Sequence, residues 1–210
     1  WCLLVALALC VAVGAPLAVF GWMDAAVLGR DTPISTQNGK LAVSSSDLPL
    51  VEHIHNVLGE TNAQEQSSRP ATLEEMESGL SDFLSSSVLP QWVADVWEQV
   101  CQTGVGAVTV TYGTDIISYE YNGTDGVSCS YTTDLASGCV LGFQLYTKEE
   151  HTTSQERRQV VMERYIQYLG LDVLGDWVYN GNRYQSTEAQ LFVNALLEED
   201  SGGFSIGVEL

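Results

Sequence analysis

The chain has 210 residues, of which 27 are acidic and 8 basic, giving a formal net charge of −19. A surface of that sign repels a phosphate backbone, whose binding proteins cluster Lys and Arg, so nucleic acid is excluded as an expected partner. Hydrophobic residues make up 45% of the chain, enough for a folded core and too many for a wholly disordered polymer.

No charged residue occurs from Trp1 to Met23, and the first is Asp24. Some 20 apolar residues, each rising about 1.5 Å, cross a hydrocarbon layer of roughly 30 Å, so this run is long enough for a transmembrane helix. Trp1 and Trp22 stand at its ends, where aromatic belts form, and Pro16 is tolerated in such a helix. A cleaved secretory signal competes, with Ala12-Val13-Gly14 before Ala15 as the cleavage site, and a buried helix is a third reading. Continuation of the apolar run past Ala15 favours the retained anchor. Leu9 before Cys10 is too large for a lipoprotein signal. The chain starts without Met or a basic flank, so a cytoplasmic segment is expected to precede Trp1. All 27 acids follow the anchor against only 8 bases, which places the C-terminal domain outside, in a single-pass cell-membrane protein with residues 1–23 in the membrane.

Residues 24–71 read as a polar stalk, with Ser44-Ser45-Ser46, Asn38-Gly39 and interruptions at Pro33, Pro49 and Pro70. One short amphipathic helix is embedded there, on Val51, Ile54, His55 and Leu58. At Thr72 a capping box with Glu75 predicts a helix start, followed by an apolar stripe of Leu73, Met76, Leu80, Phe83 and Leu84. Pro90 opens a second helix over Gln91 to Gln102, on which Trp92, Val93, Val96, Trp97 and Val100 repeat at helical spacing, the tryptophans as core anchors. The period then changes to two, with strands expected at Val108 to Tyr112, Ile116 to Tyr121, Val127 to Thr133 and Val140 to Tyr146. Asn122-Gly123 and Asp125-Gly126 are turns, because glycine accepts the positive φ they need. A further helix is predicted over Ser154 to Leu169, facing inward with Val161, Met162, Tyr165, Ile166 and Leu169, and ending at Gly170. Strands are predicted at Val173 to Tyr179, Glu188 to Leu197 and Phe204 to Leu210. The fold class is therefore α+β: an N-terminal transmembrane helix, then helices packed on antiparallel meander sheets, with helices plus a first meander at 72–147 and a helix plus a second meander at 148–210. The order helix then meander occurs twice, at about 91–147 and 154–210, and is read as two helix-plus-three-strand units with the fourth strand of the first, Val140 to Tyr146, closing it.

A search for reactive constellations finds no catalytic set. His53 and His55 share a side only on a strand, and the apolar spacing there is helical, so no metal site is expected at them or at His151. Gly203-Phe204-Ser205-Ile206-Gly207 has the form of a nucleophile elbow, but no helix, Asp or His follows it. Asp115, Asp125, Asp134, Asp172 and Asp176 sit near turns, where capping of backbone N–H groups explains them better than a loose calcium site. Asn122-Gly123-Thr124 fits a glycosylation pattern and is better explained as a turn. Of five cysteines, Cys2 and Cys10 lie in the apolar run, while Cys101, Cys129 and Cys139 are expected to be unpaired and buried. A five-residue turn at Asp134 to Gly138 would set Cys129 nearer Phe143 than Cys139, against a bridge between them. Lys148, Arg157, Arg158 and Arg164 are half of the scarce bases and gather on and before one helix, either as a solvated face balanced by Glu149, Glu150, Glu156 and Glu163 or as a docking patch for an acidic partner.

Asp134-Leu135-Ala136-Ser137-Gly138-Cys139-Val140-Leu141 follows a helix and three strands, and it resembles the D-x-x-[ST]-G-x-[VI] turn and strand that close PepSY-type domains. The resemblance covers about 55 residues of the first unit; the second shares element order without the Asp-to-Gly motif. It implies a non-catalytic extracytoplasmic module of bacterial envelope proteins, linked with inhibiting peptidases or modulating membrane sensors, and it carries over no catalytic residue. The layout is similar to single-pass proteins of Gram-positive bacteria. The expected function is thus a membrane-anchored, non-enzymatic binding or regulatory module that contacts an envelope protein and needs no cofactor. A signal transducer of the anti-sigma type, with its output segment before Trp1, and a hydrolase built from distant carboxylates are the alternatives.

Overall fold

A computed structural model describes residues 48–59, 67–148, 158–198 and 202–210. The expected membrane helix at 1–23, the stalk up to residue 47, His151 and Arg157 lie outside these residues. Among the described residues no helix is long and apolar enough to cross a membrane. Four helices are described: α1 (Pro49–Gly59), α2 (Leu73–Ser85), α3 (Gln91–Thr103) and α4 (Arg158–Tyr168). The strands are β1 (Ser67–Ala71), β2 (Gly106–Tyr112), β3 (Ile116–Gly123), β4 (Ser128–Asp134), β5 (Val140–Tyr146), β6 (Val178–Tyr179), β7 (Arg183–Ser186), β8 (Leu191–Glu198) and β9 (Gly203–Glu209). They form one antiparallel sheet in the order β1-β2-β3-β4-β5-β9-β8-β7-β6.

The α+β class is as the periodicity predicts, but its division is not. Instead of two three-strand units there is one nine-stranded sheet, because the last strand, β9, returns to pair with β5 along Gly142 to Tyr146. Nor does the stalk extend to residue 71. Helix α1 buries Val51, Ile54 and Val57 in the common core, and β1 pairs with β2 as an edge strand. Pro70 is compatible with that place, since an edge strand does not need every N–H. The strand predicted at Val173 to Tyr179 shrinks to β6, preceded by a short 3-10 turn at Leu171–Val173. A polar strand, β7, lies inside the stretch read as a loop.

Alternation along the strands sends Val110, Tyr121, Tyr131, Phe143, Leu145, Phe204, Ile206 and Val193 to one face, where all are buried. Helices α2, α3 and α4 bring their own apolar stripes to this core: Met76, Leu80 and Phe83; Val93, Val96, Trp97 and Val100; Val161, Met162, Tyr165 and Ile166. Phe83 links the layers, with ring contacts to Phe143 at 5.6 Å, Tyr165 at 6.2 Å and Tyr168 at 5.1 Å. Two buried phenols find backbone partners: Tyr131 donates to Met76 O at 2.7 Å, and Tyr165 donates to Val140 O at 2.9 Å. The capping box forms as predicted, with the Glu75 N–H donating to Thr72 Oγ1 at 3.1 Å and the Thr72 N–H donating to Glu75 Oε2 at 3.3 Å. Arg69 of β1 reaches Glu75 at 3.1 Å, an exposed pair that orients more than it stabilises.

Two expectations about stability follow. A Cβ added at Gly79 of α2 would meet the Tyr131 hydroxyl well inside van der Waals contact, while helix propensity alone favours Ala by about 1 kcal/mol. The contact should win: Gly79→Ala is expected to destabilise by about 1–3 kcal/mol, since it displaces a buried hydroxyl from its only partner, and urea denaturation followed by tryptophan fluorescence checks the sign. Burial raises the phenol groups of Tyr131 and Tyr165 above their ordinary value of 10.0. Both states hold neutral phenols below that pH, and above it the unfolded chain ionises first. Stability should therefore fall as pH rises past about 10, by up to about 1.4 kcal/mol per unit for each phenol, and less steeply in Tyr165→Phe. Denaturation curves at pH 9, 10 and 11 that coincide would contradict this.

Candidate functional site

Helices α2, α3 and α4 cover one face of the sheet; side chains of the other face include Thr109, Thr111, Ser118, Ser130, Thr132, Gln144, Ser205 and Asn194. Hydroxyls, amides and carboxylates suit such positions because alternate residues of these strands meet water rather than core. Some of the hydroxyls satisfy each other across strands, as Ser68 with Thr111 and Ser118 with Thr132 do, each at 2.9 Å. Others are uncommitted. Among the described residues, the side chains of Ser130, Gln144, Asn194, Ser205 and Glu209 make no hydrogen bond.

These five side chains line a concavity of about 380 Å³ on the open face. Its floor is the pair Gly142 and Gly207, which face each other across the β5–β9 seam. One wall is apolar, from Val57 and Leu58 of α1 and Ile116 of β3. Next to it the register of β4 on β5 slips between Thr132 and Thr133, a bulge at Leu141 of the kind that bends a strand locally. Glu209 is the one carboxylate in the lining, and no cation lines it. The same row of the sheet holds Arg183, paired with Asn194, but its guanidinium lies 3.9 Å above the Phe192 ring. What this arrangement offers is a set of neutral donors and acceptors and one carboxylate, carried on strands, beside an apolar wall.

No family model, curated protein or solved structure matches the chain.

The basic residues singled out by sequence fall elsewhere among the described residues. Lys148 is exposed just after β5, and its side chain lies against Gly126 in the β3–β4 turn. Thr124 of that turn is bonded to Val105 O, beside the C-terminal end of α3. Arg164 donates to Ser87 O at 3.3 Å, in the connection that leads into the N-terminal end of α3. A 13-residue helix is about 20 Å long, so Lys148 and Arg164 do not form the single patch that their nearness in sequence suggested. Arg158 is half-buried as the first residue of α4. The dismissed motifs are structural. His55 Nε2 donates to Ala189 O at 2.7 Å, and Ser205 sits in an extended strand rather than at an elbow. Three of the turn aspartates cap as expected: Asp125 accepts from the Val127 N–H, Asp134 from the Ser137 N–H and hydroxyl, and Asp176 from Ser186 Oγ and the Glu188 N–H. Among the described residues, no three His, Cys, Asp or Glu gather as metal ligands.

Cys101, Cys129 and Cys139 are unbridged, though only Cys129 is fully buried and the other two are half-buried. Burial pushes the Cys101 thiol up to about 11, helped by Glu77, and raises Cys129 further still. Neither carries appreciable thiolate at neutral pH, which is the reactive form. Cys129 stands opposite Leu145 rather than near Phe143, because Cys139 joins the turn and Leu141 bulges.

Sequence reasoning missed the concavity, and period-two spacing shows only which of its residues share a face. In a strand, the G-x-S-x-G stretch puts Gly203, Ser205 and Gly207 on one face. Neither floor glycine is required by its surroundings: a Cβ at Gly142 would have 4.0 Å to its nearest neighbour and one at Gly207 would have 3.5 Å. Gly142→Ser and Gly207→Ser should therefore fold with stability within about 1 kcal/mol of the parent, in contrast to Gly79→Ala. Thermal denaturation of the three variants side by side tests the contrast.

Proposed function

We propose that the chain is a non-catalytic binding module, held at the outer surface of a cell membrane by residues 1–23, which acts through the open face of its sheet on a partner in the cell envelope. The observation that carries this reading is the set of polar side chains on the strands that make no hydrogen bond among the described residues, Ser130, Gln144, Asn194, Ser205 and Glu209. The sheet already fixes the backbone that carries these groups, so a partner that engages them orders only the side chains themselves. The apolar run from Trp1 to Met23 supports the tether, and the acidic composition supports a partner other than nucleic acid. Regulation of a membrane-bound sensor or peptidase is the role implied by the resemblance of the Asp134 to Leu141 turn.

A photo-crosslinking residue placed at Gln144 on the open face, or at Glu98 on the helix layer, tests the reading in intact cells carrying the full chain. The expected result is a discrete adduct from Gln144 and none from Glu98, with the adduct destroyed by protease added outside the cell. Adducts from Glu98 alone, or protection from the external protease, would overturn it.

A further inference from the structure

We infer that the concavity over Gly142 and Gly207 binds a neutral oligosaccharide, the chemistry of an uncharged stretch of surface or wall glycan. This rests on the reading of the open face as the working surface and goes beyond it by naming what the face holds. Sugar rings present two chemistries at once, hydroxyls around the edge that both donate and accept, and an apolar C–H surface. The concavity offers both. Gln144 and Asn194 each supply an amide that donates and accepts, Ser130 and Ser205 supply hydroxyls, and Glu209 supplies an acceptor, all without a hydrogen bond inside the described residues. Against the C–H surface stand Val57 and Leu58 of α1, and the same face carries the Tyr146 ring, 48% exposed and two residues along β5 from Gln144.

Charge selects the class. With no cation in the lining, one carboxylate and a chain charge of −19, an anionic ligand meets repulsion without a partner for its charge. A cationic peptide would find only Glu209, while the remaining polar groups are neutral. A protein surface docked flat on the face would need a desolvated aromatic or apolar anchor at its centre, and here the centre is two glycines. Those glycines lower the floor by the depth of two side chains that the backbone would accept. The volume, about 380 Å³, lies at the small end of ligand pockets, roughly 300–1,000 Å³, and its open form calls for weak binding, with Kd on the order of 0.1–1 mM.

The test titrates the full chain, in lipid nanodiscs, with three tetrasaccharides: β-1,4-linked glucose, β-1,4-linked N-acetylglucosamine, and α-1,4-linked galacturonic acid as the anionic comparison, read by saturation-transfer NMR and calorimetry. At least one neutral tetramer should bind, and the anionic one should bind at least about tenfold more weakly. Gln144→Ala and Asn194→Ala should each weaken the neutral ligand by about 2- to 10-fold, the range for one lost hydrogen bond, and Glu98→Ala should leave it unchanged. Gly142→Val, which fills the floor, should abolish binding; should it not fold, the exposed Gln144 and the half-buried Asn194 variants decide the matter alone. No binding of either neutral tetramer at 10 mM (about 10-fold above the weakest expected Kd), equal binding of the anionic one, or binding indifferent to Gln144 and Asn194 would each overturn the inference. Crosslinks from Gln144 to a protein, with no glycan bound, would sink the glycan and leave the working face intact. Loss of both would remove the face as well.

Discussion

Much of this structure hangs on how the backbone of one residue, Val140, is held. Its N–H donates to the Tyr168 hydroxyl at 3.0 Å and its carbonyl accepts from the Tyr165 hydroxyl at 2.9 Å. Val140 is the first residue of β5, directly after the Asp134 to Gly138 turn, and it is buried. Buried backbone groups without partners are costly, so the start of β5 requires α4 above it. Helix α4 comes after β5 in the chain and leads into the second meander. A strand of the first meander is thus completed by a helix of the second, and Phe83, packed on both Tyr165 and Tyr168, ties α2 into the same point. The two halves that look separable in sequence depend on each other at this residue.

The single-sided core follows. Large rings at Phe83, Phe143, Tyr165 and Phe204 gather between helices and sheet, and strand alternation then obliges the opposite face to carry the intervening residues. Those residues include serine, threonine, asparagine and glutamine beside Ile116, Tyr146, Phe192 and Leu196, so the open face mixes groups that hydrogen-bond to water with scattered apolar side chains. Neither edge of the sheet extends it easily. At one end β1 contains Pro70, and at the other β6 is only two residues long. The broad surface left for recognition on the sheet is its polar face.

How far the sequence reveals this depends on the distance over which each feature is determined. The apolar stripe of α4 was legible in full, since Val161, Met162, Tyr165, Ile166 and Leu169 are all buried, and so was the Thr72 capping box, because both are set by residues within a few positions. The Asp134 turn was legible for the same reason: its carboxylate takes the Ser137 N–H, and Gly138 adopts a φ of 73°. Strands β1 and β7 were not, being short and polar and made strands only by their neighbours. Register was lost in a further way. Counting across a five-residue turn puts Cys129 opposite Phe143, whereas the turn takes up Cys139 and the bulge takes up Leu141, a total slip of two. A slip of two keeps every side chain on its face and changes every neighbour. That is why the open face could be anticipated from alternation while the concavity, a matter of which rows meet, could not.

The glycines of the chain separate into those the fold demands and those it does not. Gly79 and Gly106 lie under tyrosine side chains, and Gly126, Gly138, Gly170, Gly181 and Gly202 adopt positive φ, so packing or backbone geometry accounts for each. Gly142 and Gly207 have neither reason. They occupy paired interior positions of a sheet, where glycine is weaker than alanine by roughly 0.5–1 kcal/mol, and a side chain at either would meet only ordinary contacts. Stability therefore argues against them twice over, once in each strand of the seam. What they provide is a depression among uncommitted amides and hydroxyls, and that depression is the feature of the open face that a fold-level account leaves unexplained.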